Sequence, residues 1–185
     1  VHDADAPLVA RAEPSLERLE ARHEELFTQW GMPGDAQAEL RQALDDDRLW
    51  SSTDAVVEPF TDGDQFAVGE REIEVSHLPG HTLGQSGFVL EDGDERALFS
   101  GDALLPKYTP NVGGADVRDD DALAAYLDSL VRIVEGDFDV AYPGHRTPIH
   151  DPGTRAKHIL EHHRTRTERV VDVLRDHGPA DAWTV

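Results

Sequence analysis

Three times along this chain a short apolar run ends in a glycine, and one side chain able to bind a metal follows at once. Residues 73–78 lead into Pro79-Gly80-His81-Thr82, residues 97–100 into Gly101-Asp102, and residues 140–142 into Pro143-Gly144-His145. Short, partly alternating apolar runs read as strands. Glycine lets the backbone turn sharply where a strand ends, so the next side chain points off the sheet edge and not into a face. If the three strands lie side by side with these ends together, His81, Asp102 and His145 converge from 21 and 43 residues apart. Two imidazoles and a carboxylate suit zinc, manganese or iron. A single loop of this kind more often satisfies local hydrogen bonds; three built alike point to one shared site.

The remaining pattern alternates between helix and strand. Residues 14–30 read as a helix, with Leu16, Leu19, Leu26, Phe27 and Trp30 at helical spacing and Gly31-Met32-Pro33 as its stop. Residues 36–44 read as a second helix, ending in Asp45-Asp46-Asp47. Further strands are expected over 56–60, 65–68 and 87–90, separated by the turn residues Asp62-Gly63-Asp64, Gly69-Glu70 and Asp92-Gly93-Asp94. A helix over 120–134 puts Leu123, Tyr126, Leu127, Leu130 and Val134 on one face, with Asp120 as its expected cap. The last helix opens at Pro152-Gly153 and closes near His177 at Gly178-Pro179. The class is mixed α/β.

Composition narrows the chemistry. There is no cysteine, so disulfide scaffolds, thiolate zinc fingers and cysteine nucleophiles are excluded, and any metal must be held by His, Asp and Glu. No apolar run approaches the roughly 18 residues of a membrane span, and with no basic segment followed by an apolar one near Val1 no secretory signal is expected. The 38 acidic residues outnumber 17 basic ones for a net charge of −21, and only Lys107 and Lys157 are lysine. Such a chain repels itself unless salt screens it. Acid-rich, lysine-poor surfaces resemble those of proteins from salt-loving microbes, and the expectation is a folded, halophilic, cytoplasmic protein. The chain starts Val1-His2-Asp3 and stops at Trp183-Thr184-Val185, inside an apolar stretch; both ends are expected to be cuts in something longer.

Rival constellations are weaker. His158-Ile159-Leu160-Glu161-His162 fits a zinc-protease pattern, but an exposed face crowded with charge and histidine produces that match readily. Asp45-Asp46-Asp47 and Asp119-Asp120-Asp121 lack the spaced ligands and glycine of a calcium loop and read as solvated helix ends. Ser51-Ser52 and Ser86-Gly87 lack a nucleophile elbow, and no phosphate-loop or dinucleotide pattern occurs.

Pro79-Gly80-His81-Thr82, Ser100-Gly101-Asp102 and Pro143-Gly144-His145, in this order and spacing, resemble the third, fourth and fifth metal motifs of the metallo-β-lactamase superfamily, over about residues 60–151. Residues 101–112 and the helix carrying Ile159 to Arg164 resemble a subgroup that includes β-lactamase-like endoribonucleases. The resemblance implies an αββα sandwich, represented here mainly by its C-terminal half. It implies a domain over 1–151 lacking its N-terminal part, then a helix and the start of a winged-helix-like module over 152–185. By the same resemblance His81 belongs to the first metal site, Asp102 bridges two metals and is the catalytic carboxylate, and His145 belongs to the second. The implied cofactor is zinc, two ions in the full-length protein, with manganese or iron as alternatives. Lys107, Tyr108 and Asn111 stand where family members place substrate contacts. The family's His-x-His-x-Asp-His motif is absent from the chain, and with it four of the seven ligands of a complete site. The implied activity is hydrolysis of an ester, thioester, lactam or phosphodiester by a metal-bound hydroxide, on a small-molecule or RNA substrate. The alternatives are an endoribonuclease of the same fold and a non-catalytic scaffold. An uncovered sheet is expected either to pair with a second copy, as a homodimer, or to be covered by the missing half.

Overall fold

Alternating apolar residues and tight turns build an antiparallel meander of four strands, to which a helical crossover adds a fifth. The computed structural model describes residues 1–10, 13–50, 55–113 and 116–185. Ser51-Ser52 and the side chains of Leu16 and Asp45-Asp46-Asp47 lie outside the described residues. The strands are β1 (Gln65–Val68), β2 (Arg71–His77), β3 (Ser86–Asp92), β4 (Glu95–Gly101) and β5 (Val140–Pro143), in spatial order β1-β2-β3-β4-β5. Two-residue turns at Gly69-Glu70 and Gly93-Asp94 join the outer and inner hairpins, as expected for this turn chemistry. β5 runs parallel to β4, so the chain must cross over the sheet between them, and a helix makes that crossing. The helices are α1 (Ala6–Val9), α2 (Glu13–Gln29), α3 (Gly34–Trp50), α4 (Ala122–Glu135) and α5 (Pro152–His177).

Cross-strand register sorts the side chains onto two faces. Val89, Leu98 and Ala141 stand opposite one another on β3, β4 and β5 and share one face. Against it pack Tyr126, Leu130 and Ile133 of α4 and Ala156 and Ile159 of α5, each set one helical face wide. Leu98, Leu130 and Ile159 are all but fully buried, at about 1.5–3 kcal/mol of transfer free energy each. On the other face the row Phe88, Phe99 and Tyr142 is aromatic, and the Phe99 and Tyr142 rings stack with centroids 5.3 Å apart. Phe99 and Tyr142 are 41% and 38% exposed.

Three expectations need correction. Residues 56–60 form no strand: Pro59 has no N–H for a ladder, Val56 stands wholly in water, and only Phe60 bridges, parallel, to His2. α3 does not stop at the triple aspartate but continues to Trp50. Aspartate lowers helix propensity by only a few tenths of a kcal/mol, and no glycine or proline follows to break the helix. Asp120 does not cap α4; Asp121 takes the N-cap position without a side-chain bond, and Asp120 is held by Arg22 of α2 at 2.5 Å. Among the described residues no helix is long and apolar enough to cross a membrane.

Candidate metal centre

The three glycine-containing loops leave β2, β4 and β5 at the same edge of the sheet, and each glycine has a physical reason. Gly80 has φ of 132°, in a region closed to most side chains, and a Cβ there would sit 2.7 Å from the Tyr126 Cα. The loop after β2 therefore lies flat on α4 and carries His81 outward. Gly144 accommodates a different neighbour: a Cβ there would come 2.8 Å from Asp102 Oδ1. The Gly144 N–H donates to the Gly101 carbonyl at 2.9 Å, which ties the loops after β4 and β5 together. A bulge between Phe99 and Gly101 helps turn Asp102 off the strand.

The side chains then converge. Asp102 Oδ2 lies 3.6 Å from His81 Nε2 and 3.6 Å from His145 Nε2. His81 is fixed further by its other ring nitrogen, which lies 2.9 Å from the Asn111 carbonyl. A carbonyl only accepts, so Nδ1 carries a proton in this contact, and Nε2 is the ring nitrogen that faces Asp102. This carbonyl–imidazole pairing is the usual outer support of a metal-binding histidine. Asp102 is 26% exposed and His145 71%, so the centre opens to solvent on the β5 side.

The donor set fits a divalent cation. Asp102 Oδ1 is buried with no hydrogen-bond partner among the described residues, a costly condition for a carboxylate oxygen that a bound cation relieves. Two donors on one zinc ion, each about 2.0–2.1 Å from it in tetrahedral geometry, lie roughly 3.3 Å apart. The observed 3.6 Å separations are close to that. Among the described residues no three His, Asp or Glu side chains close on a single point as a finished cage would. The arrangement is two histidine–aspartate pairs sharing one oxygen.

Other sequence candidates fall elsewhere. Glu161 of the His158–His162 pattern is gripped by Arg164 at 2.6 and 2.8 Å, and His158 and His162 are exposed on α5. Asn111 gives its backbone carbonyl to His81. Tyr108 is half exposed, with Lys107 Nζ 5.3 Å and the Arg146 guanidinium 5.0 Å from its ring centre. Arg146 directly follows His145 and was not legible as part of this region: its φ of 76°, which turns it back over Tyr108, is unusual for a residue with a side chain.

Known proteins share this architecture. The family model described as Metallo-beta-lactamase superfamily matches residues 2–145. The chain belongs to the metallo-beta-lactamase superfamily. Among solved structures of that family, a protein from Thermus thermophilus is 29% identical, with a TM-score of 0.76, covering 100% of this chain and 57% of that one. A beta-lactamase domain protein from Burkholderia ambifaria is 28% identical with a TM-score of 0.64, covering 78% of this chain and 42% of that one. Among curated relatives, the Lactamase-like protein adaB of Aspergillus niger is 31% identical across 69% of this chain and 37% of its own length. The Beta-lactamase-like protein 2 homolog of Caenorhabditis elegans is 32% identical across 63% of this chain and 36% of its own. The chain thus spans little more than a third of the curated relatives it matches.

Proposed function

We propose that this chain supplies part of the metal centre of a hydrolase acting on an ester, thioester, lactam or phosphodiester. The observation that carries the reading is the shared Asp102 oxygen, 3.6 Å from both histidine nitrogens, beside a buried carboxylate oxygen with no hydrogen-bond partner among the described residues. His81, Asp102 and His145 would hold the metal, zinc by the family's habit, with manganese or iron compatible with the same donors. When bound, such a metal supplies Lewis acidity and brings the pKa of a coordinated water down to about neutral. The chain's own residues do the positioning. Asn111 fixes the His81 tautomer, Gly144 leaves room for the Asp102 carboxylate, and Gly80 seats the first loop on α4. Lys107 and Arg146, on the same tyrosine ring, offer positive charge to an anionic substrate group in an otherwise strongly acidic protein.

A second reading is a non-catalytic role, favoured by one observation: the chain contains no His-x-His-x-Asp-His. Activity in a zinc-loaded sample separates the two. The hydrolase reading predicts turnover of at least one of a glutathione thioester, a chromogenic lactam or single-stranded RNA by protein carrying that motif, with loss of about a hundredfold or more on Asp102→Asn. Inertness toward all three leaves the scaffold reading in place.

A further inference from the structure

The loop that presents His81 is gripped by residues far from it in sequence. Asp5, just before α1, accepts hydrogen bonds from the Thr82 hydroxyl at 2.7 Å and the Gly84 N–H at 2.9 Å. Asp116 accepts from the Leu83 N–H at 2.8 Å. Three consecutive residues after His81 are thus held by two carboxylates. One guanidinium joins those carboxylates: Arg118 donates to Asp116 at 2.7 and 2.5 Å, to Asp5 at 2.5 Å, and to the Ala4 carbonyl. Gly84 is shaped to this arrangement, since a Cβ there would lie 2.6 Å from the Asp5 carboxyl carbon. The segment that provides Asp116 and Arg118 also reaches the other side of His81. Asn111 accepts from the ring and the Gly113 N–H donates to the Gly80 carbonyl at 2.7 Å.

We infer that Arg118, bridging Asp5 and Asp116, is a positioning residue that sets the place and orientation of His81. It acts through the loop and touches neither the imidazole nor Asp102. The physical reason is rigidity: bidentate guanidinium–carboxylate contacts are directional, and here they lie largely out of water, Asp116 being 8% exposed. Burial works to raise the pKa of Asp116, but the bonds from Arg118 and the Leu83 N–H more than offset it, so Asp116 is held below the usual carboxylate range. The same bonds hold Arg118 more firmly charged than usual despite its own burial. Without the bridge, two carboxylates would face one loop with nothing to balance them. The inference extends the metal reading given above to the residues that aim one of its ligands.

Nitrogen-detected NMR of the His81 ring in the metal-free chain tests the positioning directly, and Co²⁺ titration followed by visible absorption tests its consequence. Arg118→Met is expected to shift the His81 ring resonances and broaden the Nδ1 proton bonded to Asn111. It should also weaken Co²⁺ binding about ten- to a hundredfold, the usual cost of losing an outer support. Arg41→Met, which removes the ion pair between α2 and α3, should change neither readout. If Arg118→Met fails to fold, Thr82→Val removes a single loop bond to Asp5 and is expected to move the same resonances by a smaller amount. Unchanged His81 signals in a folded Arg118→Met or Thr82→Val chain would overturn the inference. Wild-type chain that takes up no Co²⁺, while the variants still show the predicted ring shifts, would leave the positioning role standing and sink the metal reading.

Discussion

Gly144 is the residue on which the geometry of the centre turns most sharply. Its backbone passes so close to Asp102 that a single methyl group would fall 2.8 Å from Oδ1. The nearest atom is the end of a side chain, so the carboxylate can swing aside at small cost to the fold. Gly144→Ala should therefore lower metal affinity at least tenfold while moving the unfolding free energy by only about 1 kcal/mol. Titration of the variant alongside a thermal melt checks both halves. Loss of stability with affinity unchanged would show that the close approach serves packing alone. Gly80 differs, because its positive φ and the backbone of α4 leave a Cβ nowhere to go.

At the scale of elements, the core unit and the N-terminal helices are built unequally. α4 and α5 bury one continuous face against the sheet. Among the described side chains of α2 and α3, only His23 and Phe27 are buried. α2 is tied on by directional contacts, Arg22 to Asp120 and, one residue past its end, the Trp183 N–H to the Trp30 carbonyl at 2.9 Å, and Arg41 of α3 pairs with Glu24 of α2. Hydrogen exchange should accordingly show α2 and α3 opening at lower free energy than β3, β4 and α4. Uniform protection across all five would contradict this division. The same contrast explains what could be read beforehand. The strands near residues 73–78, 87–90, 97–100 and 140–142, the helix near 120–134 and the first half of the helix near 152–177 were legible because their apolar period is enforced by burial. β1 is exposed along its length and was legible from the turn residues on either side of it, and the far end of α5 from Gly178-Pro179. The end of α3 was not, since its described side chains are largely solvated and only weak propensity spoke there. The three convergent residues carried a local signature, a glycine and then a histidine or an aspartate. Their supports did not: Asp5 reaches Asp116 and Arg118 only through tertiary folding, and nothing in their neighbours marks them.

The whole molecule is an acidic protein with a few buried histidines, and that sets its response to pH. Burial foremost, and then the neighbouring His77, lowers the pKa of His2; burial foremost, then His162 and Arg166, lowers that of His163. With the folded value below the unfolded 6.5, the unfolded chain takes up the proton first. Their contribution is complete above that pH and drains away as pH falls through it. Asp116 behaves likewise further down: its depressed folded pKa means stability present above the unfolded 3.8 and lost as pH falls toward the folded value. Thermal midpoints measured from neutral to acid should fall in two limbs, one beginning near the unfolded histidine value of 6.5 and one near the unfolded aspartate value of 3.8. A midpoint unchanged across the histidine range would contradict the first. The aromatic row of Phe88, Phe99 and Tyr142 belongs to this scale too, as the apolar sheet face opposite the helices.

The most direct test of the account is metal retention by the chain itself. After equilibrium dialysis against zinc, elemental analysis of the wild-type chain should find the ion held weakly. Asp102→Asn should abolish that retention, and removal of either His81 or His145 should reduce it. Zinc content unchanged by Asp102→Asn would contradict the assignment, because both imidazoles face the shared carboxylate.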